Sequence, residues 1–596
     1  MSLKDILSPF YVWKRAFEKP YTTPDPLKDR PGAPRYRGFH DNDMEKCIGC
    51  GTCADICQNA AIDMVPVEGI QTNKDDSGLR PKIDYGRCCW CALCVDICTT
   101  NSLNMTREYT WVDTDPDKFR IVAGDKENFW TGNKTGYKLG EGYKLLDHDR
   151  IDMEMVNPKE GVKSFIELVK GYSKEQAIKE ADRCVQCGLC IATCPAHMDI
   201  PNYIKAIRED NIEEAVKILY ETNPMSATCG RICTHRCEEV CSIGVNGEPI
   251  AIRWLKRYII DQVDRKDIAE ILKNEFKPNG KKVAIIGAGP AGLSAAYYLA
   301  TVGYGVTIFE ANEKAGGMVR YGIPEYRMPY DQLDKDINAI LDLGVELKTG
   351  VEIGVNESFE DIYKKFDTVF LSVGLQDTYS LSISGEHHPG VLPGIQLLDD
   401  VTNGKIPDIG KEVIVIGGGN TAMDAARTAR RLGANVTILY RRREEDMPAD
   451  KEEIEEAKHE GVKFVTQAIP VQIDLADNKK LLLNWNKAEM VDQGPGKRPK
   501  PVLIVGEAYT ETVDTVISAI GQSPIYKLLP EEIGSQIKFK RSKVETDKFG
   551  QTGVAKIFAG GDIVNDTADA ISAIADGHRA AKGIDLFLSG NKKEPK

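Results

Sequence analysis

No cysteine follows Cys241, yet 17 stand between Cys47 and that point. A disulfide scaffold would spread its cysteines along the chain, and a protein of 596 residues has no need of such staples. Crowding of this kind means metal. No apolar run approaches the roughly 18 residues of a membrane-spanning helix. Positive charge is not in surplus either: 77 Lys and Arg against 90 Asp and Glu leave a net charge of −13, which argues against a nucleic-acid partner. The opening residues, MSLKDILSPFYVWKRAF, break their apolar character with charges too often for a secretory signal. No catalytic dyad stands out. A chain this long exceeds one hydrophobic core and should divide into three or four domains.

What is present begins with two matching cysteine runs. CIGCGTCADIC at 47–57 and CCWCALCVDIC at 88–98 align so that Cys47, Cys50, Cys53 and Cys57 match Cys88, Cys91, Cys94 and Cys98. Each reads C-x2-C-x2-C-x3-C, and Cys89, opposite Ile48, is the one to spare. Three thiolates at steps of three wrap one corner of a cubane cluster, and the fourth reaches the other cluster. The spacing therefore assigns Cys47, Cys50, Cys53 and Cys98 to one [4Fe–4S] cluster, and Cys88, Cys91, Cys94 and Cys57 to a second. Tetrahedral zinc, the alternative, rarely takes four cysteines from one short run twice over. The proline that usually follows the fourth cysteine is Gln58 in one run and Thr99 in the other, which removes no ligand. The pair of runs resembles the two-cluster bacterial ferredoxins. The preceding arm, SPFYVWKRAFEKPYTTPDPLKDRPGAPRYRGFH, resembles that of the ferredoxin subunit of complex I and of membrane-bound hydrogenases. That likeness implies an arm that packs on neighbouring subunits.

Two more runs follow. CVQCGLCIATCP at 184–195 repeats the spacing and does carry a proline, Pro195; it comes after a helix opened by a capping box, Ser173 with Gln176. CGRICTHRCEEVC at 229–241 spaces Cys229, Cys233, Cys237 and Cys241 four apart, and the segment between the two runs has helical apolar periodicity. Residues 165–265 resemble the cluster domain of the glutamate synthase small subunit, shared with dihydropyrimidine dehydrogenase and the large subunit of NADH-dependent ferredoxin:NADP oxidoreductases. The resemblance implies interleaved ligands: Cys184, Cys187, Cys190 and Cys241 for one cluster, Cys194, Cys233 and Cys237 for the other. The family's last ligand to that second cluster is a Gln or Glu, and the matching residue here is Lys256, a poor ligand. Cys229 is the expected replacement, with a non-protein ligand or His235 as alternatives.

The cysteine-free half carries two glycine turns. KKVAIIGAGPAGLSAAYYLA reads as strand, turn and helix, with Gly287, Gly289 and Gly292 as G-x-G-x-x-G and Glu310 closing the next strand. Such glycines admit a pyrophosphate at a helix N-terminus, and the acid accepts from a ribose hydroxyl. EVIVIGGGNTAMDAARTARR repeats the unit: Gly417, Gly419 and Ala422 take the glycine positions, around Asn420 and Thr421. Where the first unit has Glu310, the second has Tyr440 followed by Arg441, Arg442 and Arg443, which suits a 2′-phosphate and so NADP(H) rather than NAD(H). A solvated turn, partly neutralised by Glu444 and Glu445, is the alternative. The first unit resembles the FAD site of two-dinucleotide-domain flavoproteins, with Gly317 in GGMVRYGIPEYRMP and Asp562 in GGDIVNDTADAISAIADGHRAA. In that family the latter acid contacts the flavin's ribityl–pyrophosphate stretch. The likeness to the glutamate synthase small-subunit family covers roughly residues 165–590.

The resulting expectation is a multidomain α+β and α/β chain. It comprises a docking arm (1–40), a two-cluster ferredoxin domain (41–110), a linker (111–164) and a helical iron–sulfur domain (165–275). An FAD-binding Rossmann-like domain in two parts (280–395 and 510–596) then flanks an NADP-binding one (396–509). The expected function is electron transfer between NAD(P)H, FAD and four [4Fe–4S] clusters, to or from a low-potential partner. Ferredoxin, a hydrogenase or a membrane oxidoreductase complex would serve, with or without electron bifurcation at the FAD. The alternatives are a glutamate synthase small subunit and a non-catalytic wiring subunit. The expected location is the cytoplasm, peripheral to a membrane through partner subunits.

Overall fold

The computed structural model describes residues 13, 16–19, 32–70, 76–126, 134–140, 145–273, 276–476, 480–494 and 497–590; most of the expected docking arm lies outside them. Contacts divide the chain into two units. One holds residues 1–150, 183–189 and 239–250, and the other holds 151–182, 190–238 and 251–596.

In the first unit the two opening cysteine runs each lead into a single helical turn, Thr52–Asp55 and Leu93–Asp96. Both turns start from a left-handed residue, Gly51 at φ 84° and Ala92 at φ 67°. Gly51 adopts this freely, whereas Ala92 is held there at some cost. Strand His40–Asn42 pairs antiparallel with Leu103–Met105, and Ile62–Pro66, Leu79–Asp84 and Arg120–Val122 form a second antiparallel sheet. Phe39, Ile62, Ile83, Val95, Leu103 and Met105, from the strands, the second turn and the residue before the first strand, bury a small core beside the cysteines. Residues 111–164 are not the plain linker read from the sequence. Arg120–Val122 is the third strand of the ferredoxin sheet, and the Tyr137 hydroxyl donates to the buried Asp96 carboxylate at 2.8 Å. A three-residue strand is too short to show a period in sequence.

The second unit opens with helices. Ser173 caps Lys174–Asp182 as expected: the Gln176 N–H donates to its hydroxyl at 3.2 Å, and its own N–H donates to Gln176 Oε1 at 2.8 Å. Beyond lie two parallel five-stranded sheets with the same layout. The first orders Ile557–Ala559, Thr368–Leu371, Lys282–Ile286, Gly305–Phe309 and Glu346–Lys348. The second orders Val391–Pro393, Thr515–Ser518, Glu412–Ile416, Asn435–Tyr440 and Lys463–Thr466. Both are the buried, β-branched-rich parallel type that helices must cover on two faces. The expected boundaries at 395 and 510 shift accordingly. Val391–Pro393 and Thr515–Ser518 pair with each other inside the second sheet, so each belongs to the nucleotide domain. An antiparallel sheet of Ala468–Leu475, Leu481–Val491 and Lys500–Val513 is appended to that domain. Among the described residues no helix is long and apolar enough to cross a membrane.

The two sheets are joined through a buried ionic network. Arg327, from the GIPEYRMP loop, bonds both carboxylate oxygens of Asp424 at 2.8 Å and reaches Glu453, also at 2.8 Å. Arg427, fully buried, binds Glu453, Glu456 and Glu460, and with Arg431 it covers the face of Tyr326.

Candidate functional site

Each glycine turn opens on a cleft. Helix Pro290–Thr301 starts immediately after Gly289, and Gly287 sits at φ +104°, where a Cβ would lie 2.5 Å from the Ser372 carbonyl oxygen. Gly292 approaches the turn so closely that a Cβ would fall 2.1 Å from the Gly287 oxygen. Gly287, Gly289, Glu310, Gly317 and Asp562 all line one cavity of about 660 Å³. Gly292 stands behind it as packing. The Glu310 carboxylate accepts from the N–H groups of Ala288 (2.8 Å) and Asn312 (2.9 Å). Burial raises its pKa, and those donors work against the rise. Asp562 has its pKa pushed up to about 6 by burial, opposed by nearby Lys543. Its Oδ1 is buried with no hydrogen-bond partner among the described residues. A buried acceptor of this kind needs a donor, and a hydroxyl-bearing ligand in this cavity supplies one. The cleft fits FAD.

The second cleft, about 600 Å³, is lined by Gly417, Gly419, Thr421, Tyr440, Arg441 and Arg442, among others. Ala422 is fully buried against Gly417, and Asn420 turns its Oδ1 to the Asp450 N–H at 2.9 Å, so neither faces the cleft. The acidic residues beside the arginines are engaged elsewhere: Glu444 with Lys458, and Glu445 and Asp446 with Arg443. Among the described residues Arg441 and Arg442 form no ion pair. Two cations aimed into a cleft and left without carboxylates fit a phosphate. Arg498 also lines this cleft. It arrives from the appended antiparallel sheet, far away in sequence and without a motif of its own, so sequence reasoning could not find it.

Among the first two cysteine runs, the structure brings Cys57 together with Cys88, Cys91 and Cys94 around one small cavity of about 90 Å³, with exposed Cys89 at its edge. Backbone N–H groups of Ala61 and Trp90 donate to the sulfurs of Cys57 (3.3 Å) and Cys88 (3.4 Å). His40 Nε2 lies 3.3 Å from Cys94 Sγ. Cys53 interacts electrostatically with Cys50, Cys98 and Cys47, its expected quartet, and also with Cys94 of the other. Burial, with repulsion from neighbouring sulfurs, lifts the Cys53, Cys88 and Cys94 thiols; Cys88 is pushed up to about 11. Thiolates so crowded are stable only around a shared cation, and a thiolate-bound iron core is one. Serine at Cys91 should cost one cluster, whereas serine at Cys89 should leave iron content unchanged; equal iron loss in both variants would show that the spare was misassigned.

The later runs divide between the units. In the first, Cys187 interacts with Cys241, and Cys50 with Cys187; the Cys187 sulfur lies 3.3 Å from the Ser242 hydroxyl, and Cys184 belongs to the same unit. In the second, Cys194, Cys229, Cys233 and Cys237 all interact electrostatically with the ammonium of Lys256. Cys190 lies there too, near Tyr203 with Cys194 and Cys237. Cys229 is thus among the group expected of it. His235 directs Nδ1 to the Cys233 carbonyl oxygen at 3.1 Å and faces Asp450 and Glu452 rather than the sulfurs.

Two dinucleotide clefts on twin parallel sheets, with crowded cysteines ahead of them, define a class: pyridine-nucleotide-dependent iron–sulfur flavoprotein oxidoreductases. Three family models match: a 4Fe-4S dicluster domain at 46–102, the dihydropyrimidine dehydrogenase domain II 4Fe-4S cluster domain at 161–268, and pyridine nucleotide-disulphide oxidoreductase at 281–577. The glutamate synthase [NADPH] small chain of Escherichia coli is 34% identical over 75% of this chain and 98% of its own length. The putative oxidoreductase UacF of the same organism is 30% identical over 91% and 86%. The NADP(+)-dependent formate dehydrogenase subunit beta of Moorella thermoacetica is 37% identical over 68% of this chain, which spans only 60% of that subunit. The chain belongs to the glutamate synthase small-chain family of iron–sulfur, FAD- and NADP-dependent oxidoreductases.

Proposed function

We propose that this chain exchanges electrons between NADP(H) and a low-potential redox partner through FAD and four [4Fe–4S] clusters. When bound, the flavin takes a hydride as an electron pair and passes electrons on singly. The chain's own residues hold and order the centres. Gly287 and Gly289 let the backbone approach a pyrophosphate, Glu310 receives a ribose hydroxyl, and Arg441 with Arg442 takes the 2′-phosphate. The sixteen cysteines other than Cys89 hold the clusters.

The observation that carries this reading is the electrostatic interaction between cysteine groups that different runs supply. Cys50 interacts electrostatically with Cys187 in the first unit, which links the Cys47–Cys50–Cys53–Cys98 quartet to the third run. In the second unit Cys233 interacts with Asp569, which caps helix Ala570–Ser589 just after the FAD-lining turn at Asp562. The partner is another redox subunit meeting the Cys57–Cys88–Cys91–Cys94 quartet, as the subunit names of the relatives suggest for them. A hydrogenase or a complex I-like assembly has the required chemistry, and so does a formate dehydrogenase. The second reading, a glutamate synthase small subunit, is favoured by the near-complete coverage of that chain. The ferredoxin pair is an addition to it.

Two measurements test the proposal. Iron analysis of the anaerobically purified protein should give about 16 irons per chain, the content of four cubanes; about eight would remove one pair. NADPH should bleach the flavin in a stopped-flow mixer, faster than NADH at equal concentration. No bleaching would reduce the chain to a wiring subunit.

A further inference from the structure

Helix Ile252–Asp261 carries three buried cations, and two of them have carboxylates. Arg253 pairs with Glu452, and Arg257 pairs with Glu167 and Asp261, each at 3.0 Å. The third is Lys256, 5% exposed, which forms no ion pair with a carboxylate among the described residues. Its position is imposed by packing. Helix Ser226–Ile232 crosses at Gly230, where a Cβ would lie 2.9 Å from the Arg257 Cα, and so the two backbones nearly touch. Arg253, three residues before Lys256 and so on the same side of the helix, directs Nη1 to the Cys233 carbonyl oxygen at 3.4 Å, which turns this face toward the turn that bears Cys229 and Cys233. The Lys256 ammonium interacts electrostatically with the sulfurs of Cys233, Cys229, Cys194 and Cys237.

A buried ammonium is costly unless an anion faces it. Four thiolates around an iron–sulfur core are such an anion, and the core gains one further negative charge on each reduction. A fixed cation at its edge stabilises the reduced form more than the oxidised one. We propose that Lys256 is the fixed counter-charge of the centre held by Cys194, Cys229, Cys233 and Cys237. It raises that centre's reduction potential, so that electrons leaving the flavin enter the chain there. Lys256 acts through the cluster and is a positioning residue rather than a ligand.

The inference rests on the four-cluster reading, and one experiment separates the two. Wild-type, Lys256→Met and Lys256→Arg holoproteins are titrated with dithionite under electron paramagnetic resonance, alongside iron analysis. Methionine keeps the length and removes the charge; arginine keeps the charge. At the wild-type midpoint of the affected cluster, the reduced-to-oxidised ratio should fall at least tenfold in the methionine variant, a downward shift of about 59 mV for one electron. The other signals and the arginine variant should stay in place. Loss of one cluster's iron in the methionine variant alone also supports a required charge. Unmoved midpoints at full iron content in the methionine variant overturn the proposal, as does loss of that iron in both variants. Fewer than four clusters in the wild type overturns the four-cluster reading instead, whatever Lys256 does.

Discussion

Replacing Arg441 and Arg442 together with alanine should abolish discrimination between NADPH and NADH. Both line the second cleft, and the nearby acidic side chains are committed to Arg443 and Lys458. A charge-assisted bond to phosphate is worth roughly 1.5–3 kcal/mol when sheltered. Arg441 is exposed, so its share is screened, and the pair together should contribute about 2–3 kcal/mol. That is about 30- to 150-fold in the Kd for NADPH. NADH, lacking the phosphate, should bind as before. Flavin bleaching measured over a range of either nucleotide reads both constants, and a double variant that keeps the wild-type preference would rule out these arginines. Arg498→Ala should then carry the preference, because it is the remaining cation that lines this cleft.

The largest effect on stability is expected at Arg427. Its guanidinium is fully buried between Glu453 (2.5 Å), Glu456 (2.6 Å) and Glu460 (2.8 Å), against the ring of Tyr326. Methionine at this position fills much of the volume but leaves three carboxylates with only Arg327 and Arg431 to answer them. Removing one partner of a buried ionic cluster costs about 3–5 kcal/mol, because the charge left behind is uncompensated. The network also ties the GIPEYRMP loop of the flavin domain to helix Asn420–Arg431 of the nucleotide domain. Arg427→Met should therefore lower the unfolding midpoint in denaturant and loosen FAD retention. Substitution of exposed Arg443, whose pairs are solvent-facing, should do neither. Equal stability of the two variants would refute the buried-charge account.

Much of the site was legible because its chemistry is local. Cluster ligands come at fixed steps, so Cys57 could be assigned to the company of Cys88, Cys91 and Cys94 before any coordinates, and one cavity gathers all four. The glycine turns were equally readable, since Gly287 and Gly292 leave no room for a Cβ. Other features depend on long-range pairing. Arg498 reaches the nucleotide cleft only because a hairpin without a motif is appended to the sheet edge. Strand Arg120–Val122 was read as linker because three residues show no period, and it is a strand only by pairing with Leu79–Asp84. Asn420 belonged to the right motif but had a different task, holding the loop at Asp450. Lys256 was visible as a poor ligand, while its burial among sulfurs required the crossing of two helices.

The flavin sheet takes its edge strand, Ile557–Ala559, from far downstream of its other four, and helix Ala570–Ser589 packs on Pro290–Thr301 through Gly577, where a Cβ would lie 2.2 Å from the Ala291 oxygen. During translation every cysteine leaves the ribosome before that strand is made, and domains fold as they emerge. The iron-binding segments can therefore be loaded while the flavin pocket still lacks a wall. The chain order permits metal to enter before flavin, and a ribosome stalled near residue 550 should then leave a flavin-free nascent chain able to take up iron.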